Sequence, residues 1–283
     1  MLPIIETIIN NSIAANPIYE IDYIAEDGLY YCGNCNTPKE EDMELFGEKC
    51  RVRIPCACKK LIYEAEEKAR AEEKEKRRLD ELCRACIPDE RHRRSNFAAD
   101  NGTSPDSVKA AKWYVEHFPR LFDENKGLMF IGDKGTGKTF AACCIANALV
   151  YQNRRVLVRK MLTLLNDVGN FETRAAALMD ISRPDLLILD DFGATKNTEY
   201  NTSLLYEIID TRYRSNKPLI ITTNLSPKEL KNAPTMELSR IYDRVIEMCM
   251  CEISPVVLTG KSLRADIAAA KHGQLSLLPE IRP

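Results

Sequence analysis

The chain has 283 residues, with 40 Lys+Arg against 42 Asp+Glu, a formal net charge of −2 and 45% hydrophobic residues. No global basic field announces nucleic acid, and the composition is that of an ordinary soluble globular protein with room for one large or two unequal domains. No apolar run approaches the ~20 residues that span a bilayer, and Met1 to Ala15 lacks a basic start and contains Glu6. A cytoplasmic location without a secretory signal is therefore expected. Eleven cysteines then read as metal ligands or small buried hydrophobes, not as a disulfide framework.

Residues 1–58 are acidic at first, with no Lys, Arg or His before Lys39, and carry Cys32-x-x-Cys35 and, twenty residues on, Cys56-x-Cys58. Four thiolates in so short a stretch suit tetrahedral Zn²⁺. The second pair has one intervening residue where ribbons usually have two, and Cys50 is an alternative ligand. Gly33 and Asn34 suit a tight turn. The segment is too small to fold on a core alone, which favours zinc over the plain alternative of reduced, half-buried cysteines.

Residues 59–94 read as a charged helical linker. Glu64/Lys68, Glu66/Arg70, Glu72/Lys76 and Glu73/Arg77 place the acid four residues before the base, the supportive order, and few apolar residues interrupt them. Cys83-x-x-Cys86 has metal-compatible spacing but no second pair nearby, and is read as structural. Cys143, Cys144, Cys249 and Cys251 fit core positions, while His92 and His117 read as solvated.

From residue 95 to 272 the pattern is α/β. Ser104 and Pro105 predict a helix start, with the helix running to His117 before Pro119. Short β-type runs follow at 128–131, 155–159, 186–189, 218–222 and 252–258, separated by helical stretches that include extra helix over 161–181. Strands alternating with helices predict a parallel sheet flanked by helices, with ligands at the strands' carboxyl ends.

The first of these strands runs into Gly132-Asp133-Lys134-Gly135-Thr136-Gly137-Lys138-Thr139. This is a complete G-x-x-x-x-G-K-[ST] loop between a strand and a helix. Gly132, Gly135 and Gly137 let the backbone turn its N–H groups toward phosphate oxygens, and the next helix adds its positive end. Lys138 reaches the β/γ-phosphates and Thr139 ligates Mg²⁺, which predicts ATP as the ligand. Leu186 to Leu189 lead into Asp190 and Asp191, a Walker B pattern: Asp190 holds the metal and Asp191 polarises the attacking water. Adjacent acids at a strand end are costly unless they face a cation or solvent. Leu219 to Thr223 form a further strand ending in Asn224, whose amide suits the lytic water or the γ-phosphate.

Together with Arg240-Ile-Tyr-Asp-Arg244 and Gly260-Lys-Ser-Leu-Arg264, this ordered set resembles the DnaC/DnaI/IstB group of AAA+ ATPases over roughly residues 85–272. Within the group it is most similar to DnaC-like replicative helicase loaders of Gram-positive bacteria and their phages. The resemblance implies an ATPase that places the replicative DNA helicase on single-stranded DNA. It implies that Asn224 is the sensor 1 residue and that Arg240 is an arginine finger reaching a neighbouring subunit's γ-phosphate, so that hydrolysis depends on self-association. It further implies that Arg264 is the sensor 2 arginine. Arg244 could share the role of Arg240 or sit in an ordinary ion pair. Asp191 is one methylene shorter than the glutamate of many AAA+ proteins, which implies slow turnover, although aspartate occurs in the loader group. Loaders of this kind carry a similar N-terminal zinc module, associated with contacting helicase or DNA. The 161–181 insertion corresponds to the family's single-strand DNA surface, with Lys160 and Arg174 as candidates.

Two alternatives stay open: an IstB-like ATPase regulating a transposase, against which the zinc module argues, and a nucleotide-gated adaptor with negligible hydrolysis. Residues 273–283 are expected to form a flexible tail in which Gln274-Leu275-Ser276-Leu277-Leu278 resembles a sliding-clamp docking peptide. An apolar tail packing on its own domain is the alternative.

Overall fold

The computed structural model describes residues 2–100, 102, 104–195 and 198–259. Arg264 and the Gln274–Leu278 peptide lie outside the described residues. The chain divides between Arg77 and Arg78 into two compact units.

The first unit opens with α1 (Leu2–Ala15), whose Ser12 Oγ accepts from the Arg53 N–H at 3.1 Å. Two antiparallel hairpins follow: β1 (Tyr23–Ile24) with β2 (Tyr30–Tyr31), and β3 (Glu40–Leu45) with β4 (Glu48–Arg53). Among the described residues of this unit, Ile5 and Val52 are the buried aliphatic side chains, a core too small to hold so many residues by itself. Polar anchors supplement it. Buried Lys39 is ion-paired with Asp22 and donates to the Pro17 carbonyl at 2.7 Å.

Helix α2 (Ala57–Cys86) crosses the division between the units. The expected pairs Glu66–Arg70 and Glu73–Arg77 close at 3.6 and 2.7 Å. Its buried residues are Cys83 and Cys86, so the charged stretch is a solvated helix. The next piece, α3 (Glu90–Arg93), is capped by Asp89 and followed by a 3-10 turn over Phe97–Ala99.

The second unit is a five-stranded parallel sheet in the order β6-β7-β8-β5-β9. Its strands are β5 (Leu128–Gly132), β6 (Val156–Lys160), β7 (Leu186–Phe192), β8 (Leu219–Thr223) and β9 (Val256–Leu258). The helices are α4 (Pro105–Asp123), α5 (Lys138–Tyr151), α6 (Met161–Gly169), α7 (Phe171–Ser182), α8 (Glu199–Arg214), α9 (Pro227–Lys231) and α10 (Met236–Met248). Strand periodicity sorts the core into two layers. Leu128, Phe130, Leu186 and Ile188 pack with α4 and α5 residues such as Phe118 and Ile145. Met129, Ile131, Leu187 and Leu189 pack on the other face with Leu164, Ile208 and Ile241. Both faces are covered, which is why these strands are continuously apolar.

Two local expectations are corrected, and a third, the helix start at Ser104 and Pro105, is met with one difference in bonding. Helix α4 continues through Pro119 to Asp123. Phe118 and Leu121 are fully buried while Pro119 faces solvent, so packing outweighs the lost bond and water can reach the freed carbonyl. Ser104 sits at the N-cap but makes no capping bond; its hydroxyl donates instead to the Thr136 carbonyl at 2.9 Å. The last strand begins only at Val256, because Glu252 and Ile253 form a turn and Pro255 has no N–H to donate.

Candidate nucleotide-binding site

The carboxyl ends of β5, β7 and β8 open on one cleft of about 450 Å³. It is lined by Lys134 to Thr139 together with Phe140, Asp191, Ala194 and Asn224. Helix α5 starts directly from the loop, so its first-turn N–H groups have no intrahelical acceptor and face the cleft. Gly137 is the N-cap at φ 91°, and a Cβ there would lie 2.8 Å from Ser104 Oγ. Only glycine meets both conditions without strain. Gly132 and Asp133 stand behind the loop: their carbonyls each accept from Lys138 Nζ at 2.7 Å. The Asp133 carbonyl also accepts from Thr136 Oγ1 at 2.9 Å.

The two acids occupy different environments. Asp190 is buried, and its Oδ1 accepts from the Thr139 hydroxyl and the Thr222 hydroxyl, both at 2.7 Å. Asp191 is exposed to the cleft, at φ 58°. The strand therefore does not stop at Leu189 as the apolar run suggested. It continues through both acids by a bulge: Leu189 pairs with Ile221 and Phe192 with Thr223, leaving Asp190 and Asp191 opposite Thr222 alone. Thr223 secures the next step, donating to the Phe192 carbonyl at 2.7 Å and accepting from the Leu225 N–H at 3.0 Å. Nothing in the apolar pattern signalled the bulge. The paired threonines at the end of an otherwise aliphatic strand were its one visible mark.

In the first unit, Cys32, Cys35, Cys56 and Cys58 converge, with all four sulfurs within 4.8 Å of one another. Cys32–Cys58 and Cys56–Cys58 are 3.7 and 3.2 Å apart. Tetrahedral zinc with ~2.3 Å bonds spaces its sulfurs by about 3.8 Å, so the donor set and spacing fit Zn²⁺. Gly33 is needed in this knuckle because a Cβ would lie 2.1 Å from the Ile21 carbonyl oxygen. The Thr37 hydroxyl, 3.1 Å from Cys35 Sγ, holds that thiol down at about 6. Hydrogen bonding to Cys56, then to Cys32 and Cys35, pushes Cys58 up to about 12. Thiols crowded this closely cannot all ionise without a cation between them. Cys50 lies in β4 and is not a member of the cluster.

A model of the IstB-like ATP binding protein family matches residues 63–266. The chain belongs to this family. It is also 28% identical over 157 residues to the replicative helicase loader DnaC of Buchnera aphidicola, covering 53% of this chain and 61% of the relative. Against the Escherichia coli loader of the same name it is 28% identical over 141 residues, 48% of this chain and 56% of the relative. An ATP-binding protein in an insertion sequence of Mycobacterium tuberculosis is 32% identical over 111 residues, 38% of this chain and 44% of that protein. The chain thus spans little more than half the length of the loaders it matches. A crystal structure of DnaI superposes with a TM-score of 0.50 at 23% identity, covering 62% of this chain and 93% of the other, a likeness of fold. The resemblance to the DnaC/IstB type of AAA+ protein is borne out. The cysteine cluster lies before the family match.

The family's remaining candidate residues separate in space. Arg240 is exposed on α10, its Nη2 4.0 Å from Met236 Sδ, and lines a different cleft with Glu199, Tyr206 and Glu237. Arg244 is held: it bonds Asp210 at 2.6 Å and stacks over Tyr206 and Tyr213 at 4.9 and 5.3 Å. Lys160 pairs with Asp89 at 3.0 Å and Arg174 with Glu207, so both DNA candidates already face acids. Cys83, Cys86, Cys143, Cys144, Cys249 and Cys251 are buried, and desolvation raises every one of these thiols. They are core residues, as read. No helix among the described residues is long and apolar enough to cross a membrane.

Proposed function

We propose that the protein is an assembly-dependent ATPase that loads a replicative DNA helicase onto single-stranded DNA. The observation that carries the nucleotide half is the single cleft in which the loop residues Lys134 to Thr139 meet Asp191 and Asn224. The triphosphate lies along the loop N–H groups and the α5 N-terminus, with Lys138 at the β/γ-phosphates. Thr139 and Asp190 hold Mg²⁺, which neutralises charge on the phosphate oxygens. Asp191 polarises a water that Asn224 orients. The water oxygen bonds to the γ-phosphorus as the bond to the β–γ bridging oxygen breaks and a water proton passes to Asp191, leaving ADP and phosphate. Arg240 lies outside this cleft, which suits a residue given to a neighbour's site. Arg264 is assigned to the nucleotide of its own subunit by resemblance alone.

The loading half rests on relatives named as helicase loaders. The cysteine cluster binds zinc and stabilises a small module for partner recognition. Single-stranded DNA runs over the α6–α7 turn, where Phe171 is 93% exposed next to the groove lined by Leu162 and Tyr200. Bases stack on aromatic faces of this kind. The insertion-sequence relative supports a second reading, an ATPase serving a transposase.

Size-exclusion chromatography with light scattering separates the two. The protein is mixed with its host's replicative helicase with ATP, with ADP and without nucleotide. A complex whose stability changes with nucleotide supports loading; no complex in any condition moves the assignment to a transposase or another client. A peptide of residues 270–283 tested against purified sliding clamp decides the clamp reading of Gln274–Leu278, which fails if nothing binds at high micromolar concentration.

A further inference from the structure

Thr222 is fully buried near the end of β8 and is the one residue of that strand opposite the two acids of the β7 bulge. Its hydroxyl has one proton and two lone pairs, and the structure shows where they go. The proton is donated to Asp190 Oδ1 at 2.7 Å, and the oxygen accepts the Asp191 N–H at 3.0 Å. Asp190 Oδ1 also receives the Thr139 hydroxyl from the phosphate loop. One hydroxyl therefore links the loop's metal-binding threonine, the buried acid and the backbone of the exposed acid. Asp191 stands at φ 58°, a left-handed conformation that a non-glycine residue keeps only when its surroundings hold it. The bond from its N–H to Thr222 is such a hold.

We infer that Thr222 is a positioning residue for both Walker B acids, orienting Asp190 toward the metal site and Asp191 toward the nucleophilic water. This deepens the ATPase reading and rests on it. Valine has the shape of threonine without the hydroxyl. In Thr222→Val, Asp190 loses a donor and the Asp191 N–H loses its acceptor, while the loop that binds phosphate is untouched. Ground-state nucleotide binding without Mg²⁺ should then be retained, whereas the Mg²⁺-dependent gain in affinity and kcat should fall.

The experiment uses the full chain and three proteins: wild type, Thr222→Val and Thr222→Ser, with thermal melts to confirm folding. Fluorescent ATP analogue binding is titrated with and without Mg²⁺, and steady-state ATPase is measured with single-stranded DNA and helicase present. The expected result is a 10- to 100-fold lower kcat for Val, Mg²⁺-free affinity within twofold of wild type, loss of the Mg²⁺-dependent gain, and restoration by Ser. The inference is overturned if Val keeps kcat and the Mg²⁺ gain, or if Ser fails as Val does, since that would mean the γ-methyl and not the hydroxyl matters. Should Val not fold, Thr222→Ala carries the same comparison. If the wild type hydrolyses nothing, the ATPase reading itself falls; the Mg²⁺ gain alone then decides whether Thr222 orients Asp190.

Discussion

At the scale of single residues, the nucleotide cleft divides labour between side chains that differ mainly in burial. Asp190 is desolvated and held by two hydroxyls, whereas Asp191 meets solvent. Lys138→Ala is expected to abolish detectable ATP binding and hydrolysis, read by analogue fluorescence and phosphate release. Arg240→Ala should leave binding intact and lower kcat by about 10³-fold or more, the usual value of a finger supplied in trans. Mixing the two inactive proteins tests the geometry: interfaces with an intact loop on one side and an intact Arg240 on the other should regain activity, and no regain would refute supply in trans. Thr37 makes a comparable link in the cysteine cluster. Its hydroxyl contacts Cys35 Sγ at 3.1 Å and accepts from the Ala57 N–H, between Cys56 and Cys58, at 2.9 Å. Thr37→Val should lower zinc affinity about 10- to 100-fold, measured by competition with a chromophoric chelator, and Thr37→Ser should preserve it.

At the scale of elements, helix ends and strand ends carry the chemistry while their middles carry the core. The helix after the loop also anchors what precedes the domain: Asn147 of α5 donates to the His92 and Ser95 carbonyls at 3.0 and 2.7 Å. Arg212 of α8 plays an equivalent part on the opposite layer. It is fully buried, and burial pulls its pKa down to about 9, so it stays charged at neutral pH. It donates to the carbonyls of Ile181, Pro184, Asp185 and Pro218, tying the end of α7 to the starts of β7 and β8. Arg212→Met would take a donor from the Ile181, Pro184 and Asp185 carbonyls, while the Pro218 carbonyl would keep the Leu187 N–H, and should cost about 1–3 kcal/mol, seen as a lower midpoint in urea unfolding. The α6–α7 turn is the element with a binding expectation. Phe171→Ala should weaken single-stranded DNA binding about 10-fold, as loss of one stacked base does, without changing thermal stability, because Phe171 packs on almost nothing.

At the scale of the whole molecule, the two units derive their stability differently. The second has a two-layered core; the first has two buried aliphatic side chains and a cluster of four thiols among its described residues. Zinc removal by a chelator that spares Mg²⁺ should unfold the first unit and abolish the helicase complex, while nucleotide binding by the second persists. Circular dichroism and light scattering would read the two effects, and an unchanged spectrum after confirmed metal loss would contradict the zinc assignment.

The sequence by itself determined the parallel α/β class, the phosphate loop and the identity of the acids. Each is encoded in contiguous residues: apolar runs of strand length, glycines at fixed spacing, and carboxylates directly after a strand. The convergence of Cys32, Cys35, Cys56 and Cys58 was also legible, since paired thiols at short spacing need only one hairpin to meet. Only the tertiary structure decided that α4 passes through Pro119, that Ser104 serves the loop instead of its own helix, that Arg244 is already spent on Asp210, and that Thr222 faces both acids across a bulge. These depend on which distant side chain arrives at a given polar atom. Burial and hydrogen-bond geometry set that choice, and a one-dimensional pattern of polar and apolar residues does not carry it.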